Sequence, residues 1–202
     1  MSIGPSVSSD PAVNAAHVQL FDAALACEEQ LVAAFIPGAV DGERAARAFA
    51  QAETLLRALA NAEEARVEDS DERGSTDLAL QRMEAKLDLL TGLIGALLRR
   101  DSPAMPARAI CWSRLGIRLA SDIASATGER GLLRLQPADW LPEFLEIPVT
   151  VIASETSDTG SRLWLRFDPL PAALESALDR HLFRAHRRQI ADARRQRIVP
   201  AN

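Results

Sequence analysis

The apolar residues of this sequence change their spacing at one point, and that change limits the folds the chain can adopt. Before Ser102 they recur every three or four residues, as on one face of an α-helix. After Pro103 and Pro106, which end a helix, they tend towards the alternation of a half-buried β-strand. The sequence therefore predicts an α+β protein: long helices, then short strands of a small barrel or sandwich, then a final helix.

The same signals divide the chain into four segments. We expect a disordered, serine-rich leader over residues 1–10 and a helical, oligomerising region over residues 11–101. A proline-containing linker over residues 102–106 precedes the β-rich segment and its terminal helix, residues 107–202.

Three helices are expected in the helical region. Asp10 can cap a first helix and Pro11 suits its first turn, and the helical pattern continues to Pro37. A second helix is expected over about residues 41–68 and a third over about residues 76–100.

The third helix carries a strict heptad repeat. Its apolar residues are spaced alternately three and four apart, which forms a seam for a partner helix. The seam consists of Leu80, Met83, Leu87, Leu90, Ile94 and Leu97. Two interpretations fit this pattern: one helix of an intramolecular bundle, or a coiled coil through which the chain associates with copies of itself.

Four runs beyond the linker have the composition and the flanking turn signals of strands. They are Ala107–Ala120, Gly131–Gln136, Ile147–Ser154 and Arg162–Phe167. In the last run Arg162, Trp164 and Arg166 share one face, because side chains alternate along a strand. We expect the intervening apolar residues to face the core and this arginine–tryptophan face to meet solvent or a partner.

The final helix is expected to end near Ile198 and to be apolar on one side and basic on the other. Its apolar stripe consists of Leu174, Leu178, Leu182, Ala185 and Ile190. Its cations are Arg180, Arg184, Arg187, Arg188, Arg194, Arg195 and Arg197. Contact with nucleic acid is one interpretation, but the net charge of −5 argues against it. We favour packing on the strands and pairing with the acidic helical half.

Several function classes lack their usual signals. The histidines have no metal-ligand spacing, and two cysteines are too few for a zinc cage. We therefore expect a non-enzymatic protein without a metal or cofactor. No apolar run approaches the ~20 residues that span a membrane, and no signal peptide is evident, so we expect a cytoplasmic protein.

Four stretches, taken in order, resemble a PilZ domain of the atypical, tetrameric type. They are Ser113–Leu119, Gly131–Leu135, Leu141–Val149, and Leu163–Phe167 with the arginine-rich helix that follows. The resemblance implies a six-stranded β-barrel with a packing helix, and a tetramer assembled by heptad-bearing helices. Many PilZ domains are receptors for the bacterial second messenger cyclic di-GMP, in motility, biofilm formation and virulence.

PilZ receptors hold this ligand with an upstream Arg-x-x-x-Arg and a downstream (Asp/Asn)-x-Ser-x-x-Gly. Arginine pairs with phosphate and stacks on bases, and the acid or amide bonds to guanine. This chain matches the second motif at Ser113 and Gly116, but Cys111 replaces the acid or amide with a poorly hydrogen-bonding thiol. The upstream pair is missing, and pairs such as Arg180 and Arg184 do not lie where the motif requires them.

Two main functional hypotheses follow from the resemblance. The first is a non-enzymatic signalling or scaffold protein that self-associates, has unidentified protein partners and does not bind cyclic di-GMP in the standard way. The second is an atypical receptor, in which Trp164 stacks on guanine and arginines clamp phosphate. Its candidate residues, besides the degenerate motif at Cys111, Ser113 and Gly116, are Arg108, Arg114, Arg118, Arg162, Trp164 and Arg166. The opposing interpretation is that these arginines are solvated strand residues.

The coiled-coil interpretation makes a prediction about assembly. We expect a homo-oligomer, a tetramer by family resemblance, and a Leu87→Asp/Leu90→Asp variant of lower mass because it places charges in the seam. Multi-angle light scattering measures both. A monomeric wild-type chain would remove the coiled-coil interpretation.

Overall fold

The computed structural model describes most of the chain. The described residues are 10–68, 105–138, 140–141, 143–157 and 160–198. Three expectations lie wholly or largely outside them: the leader over residues 1–10, the third helix over about residues 76–100 with its heptad seam, and the linker over residues 102–106.

The described residues form helices and strands in the α+β arrangement that the sequence predicts. The helices are α1 (Pro11–Phe21), α2 (Gly42–Glu68) and α3 (Ala172–Ile198). The strands are β1 (Cys27–Pro37), β2 (Ala107–Trp112), β3 (Gly116–Ser121), β4 (Arg130–Leu135), β5 (Leu145–Ser157) and β6 (Gly160–Phe167). Within this part of the chain, no helix is both long and apolar enough to cross a membrane.

The six strands close into an antiparallel barrel in the order β1-β2-β3-β6-β5-β4. Closure depends on β1, which pairs with two neighbours in succession. Residues 27–32 pair with β2, and residues 33–37 pair with β4. The barrel therefore contains a strand from the N-terminal part of the chain, far in sequence from the other five.

The strand β1 corrects one expectation. We predicted that the first helix continues to Pro37, but α1 ends at Phe21 and residues 27–37 are a strand. The Ala, Glu, Gln and Leu content of this stretch favours a helix. Hydrogen bonds to strands on both sides outweigh that weak local preference, and the buried residues Leu31, Ala33 and Phe35 show the two-residue period of a strand.

A second expectation also needs correction. The run Ala107–Ala120 was expected to be one strand, but it forms β2 and β3 with a tight turn at residues 113–115. The backbone N–H of Ser113 donates to the carbonyl of Gly116 at 2.9 Å, which closes the turn. Apolar residues continue on both sides of this turn, so the period alone did not reveal it.

Helices α2 and α3 pack together beside the barrel. Four stripe residues of α3, namely Leu174, Leu178, Leu182 and Ala185, are buried as predicted, but Ile190 is 40% exposed. The expected pairing of the basic helix with the acidic half is confirmed at Glu63. Its carboxylate lies 2.8 Å from Arg184 and 2.8 Å from Arg188.

His181 is buried where α3 meets the barrel. Its ring packs edge-on against that of Trp112, with centroids 5.4 Å apart, and neither ring nitrogen has a hydrogen-bond partner among the described residues. Burial, with smaller contributions from Arg188 and Arg184, lowers the pKa of His181 to about 4. The folded chain therefore holds this imidazole neutral at neutral pH.

The burial of His181 predicts that the free energy of unfolding decreases in acid. As the pH falls below 6.5, the unfolded chain protonates His181 while the folded chain resists until about pH 4, so stability is lost across that interval. The loss amounts to roughly 3 kcal/mol, at about 1.4 kcal/mol per pKa unit. Urea unfolding at a series of pH values measures it. A His181→Phe variant keeps the ring contact and should lose less stability, and an unchanged pH profile in that variant would contradict the assignment.

Candidate functional site

The degenerate motif lies at the turn between β2 and β3, where it contacts the end of helix α1. The fully buried Ser113 hydroxyl donates to the backbone carbonyl of Leu20 at 2.6 Å. The same oxygen accepts a hydrogen bond from the backbone N–H of Leu115 at 3.0 Å. Leu20 lies near the end of α1, so the hydroxyl stabilises both the turn and the seating of α1 on the barrel.

Gly116 allows α1 and β6 to approach the turn closely. A Cβ atom at this position would lie 2.2 Å from the carbonyl oxygen of Leu165 and 2.8 Å from Cδ2 of Leu20. The glycine is therefore required by lack of space rather than by an unusual backbone angle. Ser113 thus forms a hydrogen bond with Leu20, and Gly116 leaves space for the Leu20 side chain.

Helix α1 covers the outer face of the barrel beside the motif. On that face Cys111, Arg118, Trp164 and Ala153 are successive partners across four neighbouring strands. Apolar residues of α1 pack on this row, namely Val13, Ala16, Leu20 and Phe21. Trp164 is only 3% exposed beneath them, contrary to the expectation that it faces solvent or a partner. Its ring is not presented for stacking on a base.

Cys111 cannot reproduce the carboxylate or amide that the motif normally has at its position. Burial raises the pKa of its thiol to about 11, outweighing the opposing effect of nearby Arg118. The thiol is therefore neutral at physiological pH and remains a weak hydrogen-bonding group. Cys111 acts as a small buried residue beneath α1.

Besides Arg114, which pairs with Glu175, three of the candidate arginines have carboxylate partners of their own. The ion pairs are Arg108–Asp122, Arg118–Glu28 at 3.3 Å and Arg162–Glu155 at 3.3 Å. The Arg108 guanidinium lowers the pKa of the Asp122 carboxyl through a hydrogen bond and its charge. Because these cations are neutralised at separate places, they do not form one binding cluster.

Two other candidates, Arg114 and Arg166, line a cleft of about 400 Å³ between the end of α1, the motif turn and the start of α3. Arg114 pairs with Glu175 in the first turn of α3 at 2.6 Å. Arg166 is exposed and forms no ion pair among the described residues. Of the six arginine and tryptophan candidates, the structure thus places Arg114 and Arg166 in this cleft, while Arg118 and Trp164 are neighbours on the face that α1 covers.

Sequence reasoning missed the contribution of Leu20. It contacts the motif through a backbone carbonyl and an aliphatic side chain, and neither has a sequence signature. Sequence reasoning also could not place α1, because its position follows from the turn into β1. No group of three or more metal-binding side chains is found within the part of the chain that the structure describes.

The close packing at the turn predicts a strong effect of a single methyl group. Gly116→Ala should destabilise the fold by about 2 kcal/mol, because the new Cβ meets backbone atoms that cannot rotate away. Gly42→Ala is the matched control, since a Cβ there meets nothing within 4 Å. Urea unfolding followed by tryptophan fluorescence measures both. Equal stability of the two variants would show that β6 and α1 do not pack against Gly116 as described.

Comparison with known proteins agrees with this architecture. The family model described as "Atypical PilZ domain, cyclic di-GMP receptor" matches residues 56–195. Among curated proteins, none matches the sequence. A solved structure of a pathogenic protein from Xanthomonas campestris is 47% identical, with a TM-score of 0.74, and the match covers 89% of this chain and 98% of that one.

That structure is described as a new tetrameric PilZ domain self-assembled via an unusual helical bundle. The family match spans well over half of the chain, and the similarity to the Xanthomonas protein extends to sequence and fold together. On both grounds, the chain belongs to the atypical PilZ domain family.

Proposed function

We propose that this chain is a cytoplasmic, non-enzymatic signalling scaffold of the atypical PilZ type, which does not bind cyclic di-GMP through the standard motif. The observation that carries the proposal is the use of Ser113 and Gly116 to seat α1. In a receptor of this family the serine and glycine of the motif face guanine. In this chain Leu20 contacts them instead.

The chemistry of the motif supports this proposal. Binding of guanine would need the buried Ser113 hydroxyl to exchange its acceptor in α1 for one on the ligand. It would also leave the carbonyl of Leu20 without that hydrogen bond, and an unsatisfied buried group costs about 1–3 kcal/mol. Cys111 has no ionised or amide group that could form a compensating hydrogen bond with guanine.

The family relationship supports self-association as part of the same proposal. The Xanthomonas protein is described as a tetramer held by a helical bundle. We propose that this chain forms a tetramer in the same manner, through the seam Leu80, Met83, Leu87, Leu90, Ile94 and Leu97. The assembly would present several barrels at once, which increases avidity for a protein partner.

One observation favours the alternative, an atypical receptor for cyclic di-GMP. Arg114 and Arg166 line the same cleft, and Arg166 is exposed without an ion pair among the described residues. A phosphate of the ligand could pair with these guanidinium groups without displacing α1. Trp164 takes no part in this version, because α1 covers it.

Calorimetry separates the two candidates. We expect no heat of binding when cyclic di-GMP is titrated into the wild-type chain at micromolar protein concentration, because the motif is occupied by α1. Ser113→Ala is expected to remain without binding as well.

Two results would contradict the scaffold proposal. Micromolar binding that is lost in Ser113→Ala would show that the standard motif is active. Binding that survives Ser113→Ala and is lost on charge reversal at Arg166 would establish the alternative, and charge reversal at Arg162, which pairs with Glu155 elsewhere, is the matched control.

A further inference from the structure

A second cleft, separate from the motif, opens between α2 and α3. Its volume is about 450 Å³, and we call it the α2–α3 cleft. Its polar lining consists of Arg57, Asn61, Ser176, Arg180 and Arg184. Among the described residues, no carboxylate lines this cleft.

Among the described residues, the charges around the α2–α3 cleft do not balance. Glu53 pairs with Arg57 at 2.8 Å. A single carboxylate, that of Glu63, serves both Arg184 and Arg188. Arg180 donates a hydrogen bond to the hydroxyl of Ser176 at 3.2 Å and forms no ion pair with any residue that the structure describes. Within the described residues, more guanidinium groups than carboxylates therefore surround the cleft, and the excess favours an anion there.

Arg184 also has a donor that no group in the described part of the chain satisfies. Its Nη2 atom is buried and lacks a hydrogen-bond acceptor among the described residues. Its Nε atom lies 2.8 Å from Oε2 of Glu63, but that contact pairs the charges without a well-directed hydrogen bond. An unsatisfied buried donor on a charged group is costly, and an oxygen of a ligand would remove this cost once a rotation of the guanidinium group turned Nη2 into the cleft.

We propose that the α2–α3 cleft binds a small phosphate-bearing anion through Arg57, Arg180 and Arg184. Arg180 and Arg184 are four residues apart, so they lie on one face of α3, and Arg57 approaches from α2. Guanidinium groups match phosphate oxygens in pairs, and Ser176 and Asn61 supply neutral hydrogen bonds. This site uses neither the barrel motif nor the Arg114–Arg166 cleft, and it stands whether or not cyclic di-GMP binds the barrel.

Pyrophosphate is a suitable probe because it is small and highly charged. We expect saturable heat when sodium pyrophosphate is titrated into the full chain, measured against sodium chloride of equal ionic strength. Arg180→Gln should weaken binding about tenfold or more, since it removes a charge-assisted contact. The fold should tolerate this change, because the only hydrogen bond lost among the described residues is the one to Ser176.

Arg187→Gln is the matched control, with the same loss of charge on the same helix at an exposed position outside the α2–α3 cleft. The affinity of this variant for pyrophosphate should be within about twofold of that of the wild type, because screened charges outside a site contribute little to binding. The absence of saturable binding to the wild-type chain would overturn the proposal. Equal weakening by Arg180→Gln and Arg187→Gln would also overturn it, because it would indicate a general charge effect.

Discussion

The closure of the barrel by β1 is the constraint on which the rest of this structure depends. Without β1, the facing edges of β2 and β4 would have unpaired backbone groups. Close packing reinforces the closure, since a Cβ on Gly131 of β4 would lie 2.3 Å from the carbonyl oxygen of Ile36. Because only residues 22–26 join α1 to β1, the position of β1 also determines where α1 can lie. The placement of α1 over the motif is thus a consequence of how the barrel closes.

The same residue types can serve recognition or packing, depending on what lies beside them. A serine hydroxyl and a glycine suit a ligand because one bonds and the other allows close approach. In this chain Ser113 bonds a helix carbonyl, and Gly116 allows the close approach of a leucine side chain. The ionisable candidates show the same pattern, since Arg108, Arg118 and Arg162 are each neutralised by a carboxylate. A motif match thus indicates the fold more directly than it indicates the ligand.

The parts of the fold that the sequence predicted well have strong local signals. The helix α3 and the strand β6 match their predictions closely, because their apolar periods and flanking prolines are clear. The strand β1 was predicted wrongly because its residues favour a helix and residues 31–36 are apolar on both faces, so tertiary pairing decides its structure. The burial of Trp164 depends on α1, which is distant in sequence, and the alternation along β6 carries no information about it. For the same reason, local spacing could not show that Arg57 approaches Arg180 and Arg184.

The pairing of β1 with β2 has a consequence for how the chain folds. These strands are neighbours in the barrel, yet α2 and the whole segment up to residue 104 lie between them in sequence. The antiparallel pairs β2–β3, β4–β5 and β5–β6 join strands that are consecutive in sequence, so their contacts form at a small entropic cost. The contact between β1 and β2 requires a long loop to close, so we expect it to form more slowly than the local pairs and after them. Any association that brings the two ends of that loop close together would reduce the entropic cost of pairing β1 with β2. The final closure of the barrel would then be faster.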